Sequence, residues 1–398
     1  MKASIKCMVA TVLVAVCAAS SASQRELPKA WTQLTGVFDD KLTEDHNVGG
    51  SIALVEQGRI VSRRDFGFAD RASGRRVDAD TLFHWASNTK TINAITVMQL
   101  RDRGLLTLND PLTRHVPELR RMHNSFGSMD DITIRMALTH TAGFQGPTWP
   151  YRTDDAWQPF EPTSWEQLVA MMPYQKIEFA PGSQFGYSNP SWIYLARTLE
   201  HLTGDPWEYY VQKNVFTPLG MTRSYFNTTP PHLASHRSHR YHVAKDAAGK
   251  YSVDDLSGEF NPGITIPNGG WNAPLTDVAT YIGFLTGASG GDAQLQQRYD
   301  SVLKRSTLEE MWQPQSASAD MVKGTDSVGL GFFVSKRGQQ RVIGHTGSQG
   351  GFLSFFFFDP ASGRGVVGAI NTSHGPSIDH DEVSAFQKVM ALALQVFD

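Results

Sequence analysis

Apolar residues follow two spacings along the chain, and each spacing predicts a different kind of element. Ser51 to Glu56 and Ile60 to Phe66 flank Gln57-Gly58, which is the pattern of a β-hairpin with a tight turn. Over residues 87–104 the apolar side chains recur at helical intervals, which predicts a helix. The same interval predicts a second helix from Pro190 to Leu202.

The C-terminal part of the chain changes to strand patterns. Four strands joined by short turns are predicted there: Leu330 to Lys336, Arg341 to Gly344, Phe352 to Phe358 and Gly365 to Asn371. The run Phe355 to Phe358 is apolar at every position, which favours a strand buried on both faces. A closing helix is predicted from one apolar stripe: Val383, Phe386, Met390, Leu394 and Phe397.

Strands at both chain ends with helices between them predict an α/β protein of the α+β type. The economical packing is one antiparallel sheet built from both ends, flanked by helices, with a mainly helical lobe inserted. The expected bounds are about 24–85 and 300–398 for the sheet lobe, and about 86–299 for the helical lobe.

The first 23 residues are expected to be a cleaved signal peptide rather than part of the fold. Lys2 and Lys6 precede an apolar stretch from Met8 to Ala19, which is too short to cross a bilayer core of ~30 Å. Ser21-Ala22-Ser23 then offers a cleavage site, which predicts a secreted or periplasmic protein. The alternative is an uncleaved N-terminal anchor.

Composition and charge narrow the function classes. Both cysteines, Cys7 and Cys17, lie in the predicted signal peptide, so the mature chain is expected to have no disulfide, cysteine–metal site or cysteine nucleophile. The formal net charge of the 398 residues is −3, which argues against nucleic acid as the main partner. No later stretch is apolar for long enough to form a membrane span, and the oligomeric state is left open.

The first candidate for chemistry is Ser87-Asn88-Thr89-Lys90 at the start of the long helix. A spacing of three places Ser87 and Lys90 on one helix face. A serine hydroxyl becomes a good nucleophile when a neighbouring base takes its proton, and a buried lysine with a lowered pKa can be that base. In isolation, the pattern is more typical of a helix N-cap serine followed by a solvated lysine.

Two further segments carry groups suited to acyl chemistry. Tyr187 and Asn189 stand in a loop just before the second helix. Tyr187 would act as a general base if a nearby ammonium lowered its pKa, and Asn189 can hold Lys90 or bind a substrate amide. His345-Thr346-Gly347-Ser348 is expected to join a strand to a glycine-rich turn, with the Ser348 N–H as an oxyanion donor. Taken separately, a structural tyrosine and a capping asparagine are the better explanation of the first segment.

Two rival signals fit the sequence less well. Gly287-Ala288-Ser289-Gly290-Gly291 matches a nucleophile elbow, but that motif needs a preceding strand and Thr276 to Leu285 has a helical pattern. A histidine patch can in principle hold zinc but is predicted to be a solvated loop, since prolines open it and arginines interrupt it. Its members are His232, His236, His239 and His242.

Taken in order, the three candidate segments resemble the penicillin-recognising serine hydrolases, whose Ser-x-x-Lys motif is well known. The resemblance is strongest to the class C β-lactamase-like branch, which includes D-alanyl-D-alanine carboxypeptidases, D-aminopeptidases and esterases. It extends from about residue 45 to 395 and is supported by further matching segments. These are Asp80 to Phe83, Gly104 to Pro111, Met136 to Gly143, Pro218 to Met221 and the pair Gly269-Gly270.

The resemblance implies a role for each candidate residue. Ser87 would be the acylated nucleophile, Lys90 and Tyr187 would share the general-base work, and Asn189 would orient Lys90 and the substrate. The N–H groups of Ser87 and Ser348 would form the oxyanion hole. His345, Thr346 and Gly347, which directly precede Ser348, would contribute to substrate binding. No metal or organic cofactor is implied, and the substrate would be a small molecule or a short peptide.

One departure from the β-lactamase pattern bears on substrate choice. Lactamases of this type carry lysine where this chain has His345, and a histidine is mostly neutral near pH 7. The sequence therefore favours a peptidase or esterase acting on D-amino-acid peptides or carboxylic esters. The alternatives are a true β-lactamase and a non-catalytic penicillin- or peptidoglycan-binding module on the same fold.

Overall fold

The structure is a computed structural model that describes residues 27–146, 162–256, 259–317, 326–374 and 384–398. The predicted signal peptide and Val383 of the predicted C-terminal stripe lie outside these residues. Within them no helix is long and apolar enough to cross a membrane.

The strands of the described residues form one large sheet and two small ones. They are β1 (Gly49–Glu56), β2 (Arg59–Asp70), β3 (Arg75–Arg76), β4 (Phe83–His84), β5 (Tyr241–Lys245), β6 (Tyr251–Asp255), β7 (Asn272–Ala273), β8 (Ser316–Ala317), β9 (Ser327–Val328), β10 (Phe333–Arg337), β11 (Gln340–Gln349), β12 (Phe352–Asp359), β13 (Arg364–Ile370) and β14 (Thr372–His374). The large sheet has the order β3-β2-β1-β13-β12-β11-β10-β9-β8, and all its pairs are antiparallel. The antiparallel sheet predicted from both chain ends is thereby confirmed.

The helices of the described residues lie mainly between the two groups of sheet strands. They are α1 (Lys29–Glu44), α2 (Thr89–Asp102), α3 (Leu112–His115), α4 (Ile134–Leu138), α5 (Trp165–Met171), α6 (Pro190–Thr203), α7 (Trp207–Val211), α8 (Thr217–Leu219), α9 (Ile266–Gly269), α10 (Leu275–Thr286), α11 (Ala293–Val302), α12 (Arg305–Met311) and α13 (Ala385–Leu394). The helices predicted near residues 87–104 and 190–202 are α2 and α6, and α6 ends at Gly204 with a left-handed φ of 76°.

The first hairpin shows why the local sequence specifies its turn. Gln57 and Gly58 both have positive φ, 51° and 71°, which is the backbone of a two-residue turn whose twist matches the flanking strands. β1 pairs with β2 on one side and with the C-terminal β13 on the other. The strands from the N-terminal and C-terminal parts of the chain are therefore joined within the sheet by the pairing of β1 with β13.

Helices cover the large sheet on both faces. The apolar run of β12 fits this arrangement, because its alternate side chains point to opposite faces and both sets are buried. Phe355 and Phe357 pack in a core cluster with α1 and α13, whereas Phe356 and Phe358 pack in the cluster that contains α10. Tyr281 of α10 meets Phe356 edge-on at a ring-centroid distance of 5.8 Å. The prediction of a strand buried on both faces is confirmed.

Two strand predictions need correction at their ends. The strand predicted from Leu330 starts only at Phe333, because Gly331 has a φ of 79° and donates its N–H to the carbonyl of Leu138. The strand predicted to end at Gly344 continues to Gln349 as β11, since β12 pairs with it up to Phe352. The segment from His345 to Ser348 is therefore strand rather than the junction with a turn.

The histidine patch is also partly corrected. His232 and His236 belong to a 3-10 helix, but His242 lies in β5, because Tyr241 and Val243 beside it are buried and β14 supplies a parallel partner. His239 faces the carboxylates of Asp255 and Asp70 at 3.3 and 3.7 Å instead of another histidine. Among the described residues no three potential ligands are grouped to hold a metal ion.

Candidate active site

Ser87 stands on a tight turn that leads directly into α2. Residues 86–88 form one 3-10 turn, entered through Ala86 with a φ of 47°, and α2 continues from Thr89. The turn is fixed by the Trp85 N–H, which donates to the Trp271 carbonyl at 2.7 Å, and by the Thr89 hydroxyl, which donates to the Ala86 carbonyl at 2.6 Å. Ser87 is left half-buried at the bottom of the site.

Lys90 lies one turn further along and is completely buried, at 0% exposure. Its Nζ is 2.9 Å from each of three oxygens: Ser87 Oγ, Asn189 Oδ1 and the backbone carbonyl of Asn268. Burial lowers the pKa of Lys90 well below its usual value. In the structure the Nζ is placed to donate to all three oxygens. In its neutral form the amine has two N–H groups and one lone pair, so it can donate to the two amide oxygens and accept the Ser87 O–H.

Asn189 is oriented by the same network. Its Oδ1 accepts from Lys90 and also from the Asn268 Nδ2 at 3.3 Å, which assigns the oxygen end of the amide. The Asn189 Nδ2 is therefore the end that remains for a substrate carbonyl. Asn268 was not singled out from the sequence, although it directly precedes the Gly269-Gly270 pair, because its contact with Lys90 is made by a backbone carbonyl that any residue would supply.

Tyr187 belongs to the loop before α6, and its side chain reaches Ser87. Its hydroxyl hydrogen-bonds with Ser87, and the Lys90 Nζ lies 5.0 Å from the centroid of its ring. Burial raises the pKa of Tyr187 above its usual value, although the hydrogen bond with Ser87 acts in the opposite direction. The sequence-based expectation that an ammonium lowers the pKa of Tyr187 is therefore corrected: burial raises this pKa and favours the neutral phenol.

His345 lies on β11 and is buried, with 2% exposure. Its Nδ1–H donates to the carbonyl of Thr346 at 2.6 Å, and its ring stacks on Phe333 at 4.4 Å between centroids. Burial and the nearby Lys90 lower the pKa of His345 to about 3. His345 is therefore a neutral imidazole whose Nε2 carries a lone pair.

The third candidate segment lies against the serine turn. Gly347 sits so close that a Cβ atom there would be 2.3 Å from the Trp85 carbonyl oxygen and 2.9 Å from Asn88 Nδ2. From His345 to Gln349, β11 pairs with β12 and extends past its pairing with β10. In the described residues this leaves one backbone edge of β11 without a strand partner beside the site.

The structure brings Ser87, Lys90, Tyr187, Asn189 and the β11 segment together. Ser289 follows α10, which ends at Gly287 with a φ of 70°, so the elbow-like glycines are a helix C-cap and a loop. The nucleophile-elbow motif requires a strand directly before the serine, whereas the element directly before Ser289 is the helix α10.

Comparison with known proteins places this chain in a family. A family model described as Beta-lactamase matches residues 34–388. The chain belongs to the Beta-lactamase family. The family resemblance inferred from the three motifs is confirmed, and the sheet-and-helix architecture of this Beta-lactamase family member is shared with solved structures. D-amino acid amidase from Ochrobactrum anthropi SV3 has a TM-score of 0.73 at 21% identity, covering 92% of this chain and 98% of the amidase.

Two relatives show the similarity of this Beta-lactamase family member in sequence. Esterase EstB of Burkholderia gladioli is 34% identical over 207 residues, which cover 50% of this chain and 52% of EstB. Protein flp of Staphylococcus aureus (strain COL) is 22% identical over 349 residues, which cover 87% of this chain and 64% of flp. The chain thus spans less than two thirds of the length of flp.

Proposed function

We propose that this protein is a secreted serine hydrolase that transfers acyl groups through an ester with Ser87. The single observation that supports this most strongly is the buried Lys90 Nζ, which lies 2.9 Å from the Ser87 Oγ and whose pKa is lowered well below its usual value by burial. On the two-lobe division expected from the sequence, Ser87, Lys90, Tyr187 and Asn189 would come from the helical lobe and His345 from the sheet lobe.

Acylation follows from this geometry. Ser87 Oγ attacks the substrate carbonyl while its proton passes to the Lys90 lone pair, and a tetrahedral oxyanion forms. The N–H groups of Ser87 and Ser348 are the proposed donors to that oxyanion; losing one such donor typically costs ~10²–10³ in rate. Asn189 Nδ2 would donate to a carbonyl elsewhere on the substrate.

Collapse of the intermediate needs an acid, and Tyr187 fits that role. Its neutral phenol already hydrogen-bonds with Ser87, so it can give its proton to the departing oxygen or nitrogen as the acyl–leaving-group bond breaks. The phenolate then recovers a proton from the Lys90 ammonium. In deacylation the same path runs in reverse: water loses a proton to the phenol–amine pair, and Ser87 leaves with a proton.

We propose small esters and amides that lack a carboxylate as the substrates, D-amino-acid amides included. A carboxylate on the substrate would need a cation, whereas His345 is neutral and its Nδ1–H is engaged by the Thr346 carbonyl. The names of two similar proteins, Esterase EstB and D-amino acid amidase, support this class. Turnover of β-lactams and stable penicillin binding without turnover are the alternatives that the experiment distinguishes.

The test is a substrate panel on wild type and Ser87→Ala side by side. Initial rates are measured on a p-nitrophenyl ester, a D-alanyl anilide and nitrocefin. We expect the ester or the anilide to be the fastest substrate of the wild type, and no turnover above background by Ser87→Ala. Fastest turnover of nitrocefin would move the protein to the β-lactamases, and retained turnover by Ser87→Ala would refute the nucleophile.

Secretion is tested separately. Expression of the full chain in a Gram-negative host, followed by intact-mass measurement of the periplasmic fraction, is expected to give a product that starts near Gln24. A product that retains residues 1–23 would instead support the uncleaved anchor.

A further inference from the structure

His140 is a buried imidazole beside the site for which the acyl-transfer steps have no use. It directly follows α4 and its C-cap Thr139, has 2% exposure, and has a left-handed φ of 57°. The rings of Phe185 and Trp192 surround it at centroid distances of 5.7 and 5.6 Å. A residue other than glycine keeps such a backbone only where its surroundings fix it.

Three contacts tie His140 to the tripeptide Gly186-Tyr187-Ser188. Its backbone carbonyl accepts the Gly186 N–H at 2.8 Å, and its Nδ1 accepts the Ser188 N–H at 3.0 Å. Between these two bonds, the imidazole lies parallel to the Tyr187 ring, at 4.4 Å between centroids and an angle of 19°. The contacts therefore fix the backbone on both sides of Tyr187 and the plane of its phenol.

The chemistry of these contacts defines the state of the imidazole. A backbone N–H can only donate, so the Nδ1 of His140 must carry a lone pair and Nε2 must carry the hydrogen. Burial lowers the pKa of His140 well below its usual value, and the electrostatic interaction with the titratable groups of Lys90 and His345 acts in the same direction. The ring is therefore a neutral acceptor, and it offers no proton of its own to the reaction at physiological pH.

We propose that His140 is a positioning residue for Tyr187: it holds the phenol so that its hydroxyl stays against Ser87. This inference rests on the proposed function, in which that hydroxyl delivers a proton to the leaving group. His140 contacts the tyrosine and its backbone but, in the structure, has no hydrogen bond with Ser87 itself. Its effect must therefore pass through the Tyr187 hydroxyl, and this makes it separable from a general effect on folding.

The test compares His140→Ala and His140→Asn with a matched control. Asparagine tolerates positive φ and offers an oxygen to the Ser188 N–H, but lacks the stacking ring. His46 provides the control, because it has the same φ of 57° and a ring contact with Tyr251 at 4.3 Å between centroids, but is exposed at the surface. The readouts are kcat and KM on a p-nitrophenyl ester, the melting temperature, and fluorophosphonate labelling of Ser87.

We expect His140→Ala to lower kcat at least tenfold with KM changed less than twofold, and His140→Asn to recover part of the loss. His46→Ala should leave kcat unchanged. In a Tyr187→Phe background, His140→Ala should change kcat less than twofold, because the hydroxyl that it positions is already gone. If His140→Ala does not fold, the same comparison is made with His140→Asn.

Three results would overturn the inference. Wild-type kcat in His140→Ala would show that Tyr187 needs no such support, and an equal tenfold loss in the Tyr187→Phe background would show a general structural effect. Unchanged kcat in Tyr187→Phe would remove the hydroxyl's role and the inference with it. Failure of the proposed function itself gives a different signature, namely no fluorophosphonate adduct on wild-type Ser87.

Discussion

Gly347 offers the sharpest structural perturbation of the proposed oxyanion hole. In Gly347→Ala, the new Cβ would lie 2.3 Å from the Trp85 carbonyl oxygen, and Cβ atoms essentially never approach closer than 3.0 Å. β11 and the turn that carries Ser87 must therefore separate by roughly 0.7 Å at this point, because the nearest atom is backbone and cannot rotate away. The displaced groups include the N–H of Ser348, the next residue along β11.

The expected cost can be set from general magnitudes. A misplacement of ~1 Å costs on the order of 10²-fold in rate, and overpacking typically costs ~1–3 kcal/mol in stability. We expect kcat on the p-nitrophenyl ester to fall about 100-fold, with KM less affected, since the oxyanion exists only in the transition state. The variant should still fold, with a lowered melting temperature.

The matched control is Gly36→Ala in α1, where a Cβ meets no other atom within 4 Å and the φ is ordinary. That variant should keep wild-type kcat and be slightly more stable, because alanine favours a helix over glycine by ~0.5–1 kcal/mol. Wild-type kcat in Gly347→Ala would refute the reasoning, since it would mean that the distance between β11 and the serine turn does not matter for catalysis.

Three other residues give shorter predictions. Lys90→Met should abolish acylation and should also make the stability less dependent on pH. The pKa of Lys90 is lowered in the folded protein, so between that pKa and the unfolded value near 10.5 the unfolded chain binds more protons. In the wild type this makes the free energy of unfolding rise with pH, by at most ~1.4 kcal/mol per pH unit. Urea unfolding at pH 6 and pH 9 checks this, and an identical pH slope in both proteins would contradict it. Tyr187→Phe should lower kcat on the ester at least 100-fold without a loss of melting temperature; near-normal kcat would assign the proton transfers to Lys90 alone. His345→Lys should raise nitrocefin turnover relative to ester turnover, and an unchanged ratio would mean that position 345 does not meet a substrate carboxylate.

The fold was predictable from the sequence because its periodicities are clean. The hairpin at Gln57-Gly58 and the apolar run of β12 carry local signals that tertiary packing does not override. The ends of β10 and β11 were less predictable, since they depend on partners distant in the chain. Gly331 leaves the strand to donate to Leu138, and β12 extends the pairing of β11 through to Gln349.

The candidate site was predictable as a set of residues but not as a set of protonation states. The Ser87–Lys90 spacing and the positions of Tyr187 and Asn189 are readable from the chain. Their pKa shifts depend on burial, which lowers the pKa of Lys90 and raises that of Tyr187. The sequence suggested that an ammonium would lower the pKa of Tyr187 and make it a general base, whereas burial raises the pKa of this phenol.

Two supporting residues had no decisive sequence signal. Asn268 meets Lys90 through a backbone carbonyl, a contact that leaves no trace in the residue type. His140 belongs to a segment that matched the family in sequence. Its stacking on Tyr187 depends on a left-handed backbone conformation, which the sequence does not indicate for a histidine. Such contacts form between distant segments, so local patterns cannot specify them.

The central claim is that Ser87 is an activated nucleophile, and the intact mass of the protein after exposure to a fluorophosphonate tests it most directly. Wild type and Ser87→Ala are treated together, without any assumption about the substrate. The account predicts one adduct on the wild type and none on Ser87→Ala, because Ser87 is the hydroxyl that contacts the Lys90 Nζ, at 2.9 Å, and is the proposed nucleophile. No adduct on the wild type, or an equal adduct on both proteins, would contradict it.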